Sequence, residues 1–250
     1  MSVERSDEAL QGVLEWALER MKRNGYRISS KVAITADPTL TIMGYAKKKD
    51  GIRYVVVADW ALDSEMLGGL VLHELSHIYA TERRIPSHDP RIMNDILTEI
   101  GEREGLTERE IGYLVDAYNH LQNVIVDDMA FKSMDEKDIK LTRRFFSGWV
   151  SELSSGNPSL DAAMLVRNAF AIASLKRHGI DEGDEDMTSR NSAFTASVGN
   201  QAEDAYEWIE EFLENASAGW KEREFRTKLS EYLEKIVSLM REDPALDDLR

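Results

Sequence analysis

The chain has 250 residues, which is long enough for one large domain or two small ones with a sizeable core. Its 46 acidic and 31 basic residues give a net charge of −15, which disfavours nucleic acid and anionic membrane surfaces as partners. There is no cysteine, which excludes disulfides and thiolate ligands and leaves His, Asp, Glu or Asn to hold any metal ion.

The beginning of the chain predicts a helix over residues 7–23. Asn24 and Gly25 follow its apolar stripe and are typical of a helix end. The polar N-terminus lacks the apolar core of a signal peptide, and no apolar run in the chain reaches membrane-spanning length. We therefore expect a cytoplasmic protein without a membrane partner.

A small sheet is predicted next. Alternating and β-branched residues indicate strands at residues 26–34, 39–45 and 52–58. Asp50-Gly51 lies between the last two runs and is a strong hairpin signal, so at least part of the sheet should be antiparallel. The lysines at residues 47–49 are predicted to lie in a solvated turn.

The helix that follows contains the pattern His-Glu-x-x-His within an apolar run, from His73 to His77. Residues four apart lie on the same face of a helix, so both imidazoles can reach one metal ion. Glu74 is one step round, where a carboxylate can take a proton from a water molecule. The spacing therefore predicts a hydrolytic zinc site. The helix that carries it should end near Arg84, before Pro86.

Two other interpretations of this motif are a core helix and a di-iron site. A buried core helix could carry histidines that are satisfied by ordinary partners, but two imidazoles and a carboxylate on a buried face are costly without a function. Glu74 to His77 is also the Glu-x-x-His unit of di-iron bundles, which need a second such unit. None of the other histidines has a glutamate three residues before it, which disfavours a di-iron site.

A second long helix is predicted to supply the third ligand. Thr107 to Glu110 forms a capping box that opens a helix reaching about Ser133. Its polar residues fall on one stripe, and residues 111–131 contain no Lys, Arg or Glu, which favours a buried polar seam over a solvated face. The members of this stripe are Tyr113, Asp116, His120, Asn123 and Asp127.

The rest of the chain reads as helical, over residues 137–153, 159–178, 201–215 and 220–241, with an acidic loop at 181–186. The predicted fold is α+β, in which a small, partly antiparallel sheet packs on the motif helix and the second ligand helix, and a mostly helical region follows. We expect a metal-binding domain over residues 1–153. Residues 154–250 are predicted to form a helical packing or interaction region that is continuous with it.

A strand, a helix with His-Glu-x-x-His and a later helix with an acidic side chain resemble the zincin metallopeptidases of the minimal gluzincin type. The tract from His120 to Phe131 also resembles a family of uncharacterised archaeal proteins that are predicted to be metallopeptidases. The resemblance implies that His73 and His77 bind zinc and that Glu74 is the general base. The usual Glu-x-x-x-Asp of the second helix is here Asn123-x-x-x-Asp127, with Asn at the position of the usual glutamate ligand.

These observations predict a zinc-dependent metallopeptidase that acts on a peptide or protein substrate. Asp127 is predicted to be the third ligand because zinc favours an anionic oxygen, with Asn123 or His120 as the alternative ligand or a hydrogen-bonding neighbour. Candidates for stabilising the oxyanion are Tyr79, His88, Tyr113 and His120, although His88 is most simply an exposed loop residue. The alternative functions are a non-proteolytic protein of zincin fold with a regulatory or partner-binding metal site, and a hydrolase of non-peptide amides.

Overall fold

A computed structural model describes residues 3–180, 185–199 and 201–241. These ranges form a three-stranded mixed sheet and nine α-helices, and most of the helices follow the sheet, which confirms the predicted α+β class. None of the described helices is long and apolar enough to cross a membrane. The chain divides into two compact units, and each is discontinuous in sequence. The first unit comprises Met1–His88 and Val126–Thr142, and the second comprises Asp89–Ile125 and Arg143–Arg250.

The sheet of the first unit consists of β1 (Val32–Asp37), β2 (Gly44–Lys49) and β3 (Ile52–Ala58), in the order β1-β3-β2. Strand β1 is parallel to β3, and β2 is antiparallel to it. Asp50 and Gly51 both have positive φ, 50° and 79°, as a tight two-residue hairpin turn requires, which confirms the predicted hairpin.

The structure corrects two details of the predicted sheet. The lysines at residues 47–49 lie within β2 and not in the turn, because they pair with residues 52–54 of β3. β2 lies at the edge of the described sheet, where exposed lysines are well tolerated. Residues 26–31 are not in a strand, and the first strand begins only at Val32.

Helices α1 (Val3–Arg23) and α2 (Leu67–Glu82) pack on each other and on the sheet of the first unit. α2 carries the His-Glu-x-x-His motif. The core between them is built from fully buried apolar side chains of the two helices and of β3. The close packing predicted from the glycines of α2 is observed at Gly68, where an added Cβ would lie 3.1 Å from the ring of Trp16.

The helix α4 (Glu108–Ser133) contributes residues to both units. The predicted capping box at its start is confirmed, since Glu110 accepts hydrogen bonds from the backbone amide and the hydroxyl of Thr107, both at 2.8 Å. The other helices are α3 (Pro90–Glu104), α5 (Glu136–Ser147), α6 (Pro158–Lys176), α7 (Glu185–Val198), α8 (Ala202–Glu214) and α9 (Glu222–Arg241).

In the second unit α6 packs against α8 and α9, and the rings of Phe170 and Tyr232 are fully buried. The predicted helix at 137–153 is shorter in the structure, where α5 ends at Ser147. Helix α7 was not predicted from the sequence. Residues 181–184 of the predicted acidic loop lie outside the described residues, and the last two residues of that loop begin α7.

Candidate metal and catalytic site

Helix α2 brings the two motif histidines together. The Nε2 atoms of His73 and His77 lie 3.2 Å apart, and their ring centroids are separated by 4.8 Å. Both side chains are half-buried, whereas their apolar neighbours on the helix, Leu72 and Leu75, are fully buried in the core of the first unit. The apolar residues therefore fix the rotation of the helix so that the two imidazoles lie side by side.

The separation of the two Nε2 atoms fits a shared metal ion. Two nitrogens bound to tetrahedral zinc at 2.0–2.1 Å would lie about 3.3–3.4 Å apart. The observed distance of 3.2 Å between His73 and His77 differs from that value by little more than about 0.1 Å. The distance between the two Nε2 atoms is thus compatible with a shared ion.

Asp127 lies beside His73, as its position on the second helix predicted. Its Oδ1 atom is 3.0 Å from Nδ1 of His73, and the residue is only 3% exposed. Nδ1 and Nε2 are on opposite edges of the imidazole ring, so the carboxylate faces away from the contact with His77. A carboxylate in this position can orient a histidine ligand by accepting its Nδ1 proton.

Glu74, the residue after His73, is buried, with 7% of its surface exposed. Burial raises the pKa of its carboxyl group, against the opposing effects of His73 and of the Ala46 backbone amide, which donates a hydrogen bond to the carboxylate. A glutamate whose pKa is shifted toward neutrality is well suited to general acid–base chemistry. The raised pKa and the burial are both properties that a catalytic carboxylate would have.

The hydrogen bond to Glu74 comes from the free edge of β2. The amide of Ala58 donates to the carbonyl of Met43 at 2.9 Å, which sets the alternation of the antiparallel pair. Because Ala46 is three residues beyond Met43, its backbone groups point away from β3. The edge strand of the described sheet therefore supplies one of the hydrogen bonds that hold the carboxylate.

His88 also belongs to this cluster, contrary to the prediction of an exposed loop histidine. It lies in the short 3-10 turn Pro86–His88, where its Nε2 atom is 2.9 Å from Nδ1 of His77 and its Nδ1 atom is 3.0 Å from the hydroxyl of Ser87. Burial, and to a smaller extent the charge of His73, lowers the pKa of His88 to about 4, so its ring is neutral at pH 7. The sequence contained one signal for this contact, since His88 follows the motif helix after only a short turn.

The other two predicted ligand candidates, His120 and Asn123, belong to the second unit. His120 stacks on Phe170 with a centroid distance of 4.7 Å, and burial lowers its pKa to about 4. Its Nδ1 atom is buried without a hydrogen-bond partner among the described residues. Asn123 is half-buried, while Asp116, near the start of the same stripe, is exposed, so the predicted buried seam does not extend over the whole helix.

Of the predicted oxyanion candidates, His88 contacts the motif directly. Tyr113 lies in the second unit and accepts a hydrogen bond from Arg109 at 2.8 Å. The ring of Tyr79 packs edge-on against Tyr26, with a centroid distance of 5.4 Å. Both tyrosines thus contact side chains outside the His-Glu-x-x-His motif.

Within the described ranges, no group of three or more His, Asp or Glu side chains is arranged to hold a metal ion. The site presents two adjacent imidazoles, a buried carboxylate one residue along the helix from His73, and a contact at the Nδ1 atom of each ring. No protein-family model, curated protein or solved structure matches this chain.

Proposed function

We propose that this chain is a zinc-dependent peptidase. The observation that carries the proposal is the pair of Nε2 atoms of His73 and His77 at 3.2 Å, with the buried carboxylate of Glu74 next to them on the same helix. One helix thus carries two side chains that can bind zinc and a carboxylate that can act as the base. The resemblance to metallopeptidases of the minimal gluzincin type supports a peptide or protein as the substrate.

In this proposal His73 and His77 hold zinc through their Nε2 atoms. When bound, zinc lowers the pKa of water and polarises a carbonyl group. Asp127 accepts the Nδ1 proton of His73, which leaves the Nε2 lone pair of that ring free for the metal. We therefore assign Asp127 to the orientation of His73, in place of the ligand role expected from the sequence.

Glu74 is the general base of the proposed reaction. It accepts a proton from the attacking water and later returns that proton to the amine that leaves. The amide of Ala46 and the surrounding burial hold the carboxylate in one place, so that it need not reorganise during proton transfer. The raised pKa favours the first of these steps, since the carboxylate of a less acidic group is a stronger base toward water.

The test begins with zinc content, measured by mass spectrometry on protein purified without a metal-affinity tag. Wild type should contain one zinc per chain and cleave members of an unfolded-peptide library. Glu74→Gln should keep the metal and lose cleavage, whereas His73→Ala and His77→Ala should lose both. His178→Ala is a matched control, because this half-buried histidine lies in the second unit.

Two results would contradict the proposal. Equal zinc in wild type and folded His73→Ala would show that the metal binds elsewhere. Full cleavage by Glu74→Gln would remove this residue from the mechanism.

A second candidate function is a non-proteolytic metal site that serves regulation or partner binding. It is favoured by the lack of a third ligand next to the histidine pair among the described residues. The same experiments separate the two functions. A wild-type protein that binds zinc but cleaves nothing in the library would support the non-proteolytic function.

A further inference from the structure

His77 is contacted on both edges of its ring. Its Nε2 atom faces His73 at 3.2 Å, and its Nδ1 atom faces Nε2 of His88 at 2.9 Å. On the far side of His88, Nδ1 lies 3.0 Å from the hydroxyl of Ser87, which is fully buried. These contacts form a continuous line that runs from Ser87 through two rings to the proposed metal position.

The line permits one arrangement of protons when His77 binds a metal. A neutral imidazole carries one proton, so a free lone pair on Nε2 of His77 requires the proton on Nδ1. That N–H faces Nε2 of His88, and a neutral His88 that accepts it carries its own proton on Nδ1, next to the hydroxyl of Ser87. Each ring is thereby restricted to a single tautomer.

We propose that His88 is a positioning residue for His77, accepting its Nδ1 proton and so fixing the tautomer and orientation in which Nε2 can bind metal. This inference rests on the proposed function, in which His77 is a ligand. His88 thus orients His77 as Asp127 orients His73, but its acceptor is a neutral ring nitrogen and not a carboxylate.

The backbone holds His88 in place for this role. The amide of Ile85 donates to the carbonyl of Ala80 at 3.0 Å, and the amide of His88 donates to the carbonyl of Ile85 at 2.8 Å. Arg84, at the end of α2, has a φ of 54°, the left-handed conformation that lets the chain reverse at once. The turn is therefore tied to the motif helix itself, and the distance between the two rings depends on only a few residues.

The orienting partners of metal-bound histidines typically contribute about 10- to 100-fold to metal affinity. His88→Phe keeps a planar aromatic ring and removes the acceptor, so zinc affinity should fall by about that factor. His88→Gln offers a neutral carbonyl oxygen as acceptor and should restore most of the loss. Ser87→Ala removes the far end of the line and should have a smaller effect than His88→Phe.

The experiment is a zinc titration of each full-length variant in competition with a chromophoric chelator. Nitrogen-15 NMR of the zinc-loaded proteins would report which ring nitrogen of His77 carries the proton. His178→Gln is the matched histidine control and should bind zinc as wild type does. Thermal unfolding of the metal-free proteins would show whether each variant is folded.

The possible outcomes separate the two proposals. A wild type that binds no zinc would refute the proposed function itself. If wild type binds zinc, equal affinity of wild type and folded His88→Phe would overturn the role of His88. Equal losses in His88→Phe and His88→Gln would also overturn it, because they would point to packing and not to the acceptor. Loss in the Phe variant, rescue by Gln and an Nδ1 proton on His77 would support the proposal.

Discussion

The contact between Asp127 and His73 gives the sharpest prediction, because two substitutions separate an orienting carboxylate from a ligand. Asp127→Ala removes the acceptor of the His73 Nδ1 proton. The carboxylate is 3% exposed, so solvent cannot readily take its place in the unaltered fold. His73 should then sample other tautomers and orientations, and zinc binding should weaken.

The magnitude follows from the strength of the contact. The oxygen and nitrogen are 3.0 Å apart, and a hydrogen bond to a charged group contributes about 1.5–3 kcal/mol. At about 1.4 kcal/mol for each factor of ten, Asp127→Ala should weaken zinc binding by about 10- to 150-fold. Asp127→Asn keeps a neutral acceptor that is weaker by about 1 kcal/mol, so its expected loss is only about 5-fold.

Zinc affinity would be measured for both variants by competition with a chelator at pH 7, with thermal unfolding of the metal-free proteins as the test of folding. A direct ligand behaves differently, because an amide oxygen is a poor substitute for an anionic one. Equal and severe losses in folded Asp127→Ala and Asp127→Asn would therefore refute the orienting role and restore the ligand role expected from the sequence.

Three further predictions concern the stability of the fold, two of them at residues of the strand and helix that position the site. Hydrogen bonds from Thr107 are the main cause of the lowered pKa of Glu110. The ionised Glu110 therefore stabilises the fold above its ordinary pKa of 4.5, and this stabilisation is lost as the pH falls. Glu110→Gln should lower the melting temperature at pH 7, and the difference from wild type should shrink in acid. Gly44→Ala should destabilise the protein by about 1–3 kcal/mol in urea unfolding, because its Cβ would lie 2.9 Å from the carbonyl oxygen of Val56, and wild-type stability would contradict this. Leu75→Ala should cost about 2–5 kcal/mol, since the side chain is fully buried, and a loss below about 1 kcal/mol in the same assay would contradict tight packing behind the motif.

The parts of the fold that could be predicted are those that local sequence determines. Asp50-Gly51 favours a tight hairpin turn, and the capping box at Thr107 supplies its own hydrogen bonds, so both were found without knowledge of their surroundings. Helix α7 was missed because its buried face is partly polar. Asn191 accepts a hydrogen bond from Asn168 of α6 at 3.1 Å, and a pairing between distant residues leaves no periodic apolar pattern.

The same distinction applies to the candidate site. The positions of His73, Glu74 and His77 follow from helical spacing alone, and the helical stripe correctly placed Asp127 near the motif. Spacing does not reveal which edge of an imidazole a carboxylate approaches, so the contact with Nδ1 of His73 could not be foreseen. His88 escaped prediction because the turn after α2, and no motif, brings it to His77.

Because the Ala46 amide donates a hydrogen bond to Glu74, the length of the hairpin determines whether this carboxylate keeps its donor. In β2 the backbone amides alternate between facing β3 and facing outward, and the pairing of β2 with β3 starts at the Asp50-Gly51 turn. An insertion of one residue between Ala46 and that turn would rotate the Ala46 amide inward and deprive Glu74 of its donor. No side chain near the histidines would have changed. Relatives of this chain should therefore preserve the number of residues between positions 46 and 51 more strictly than their identities.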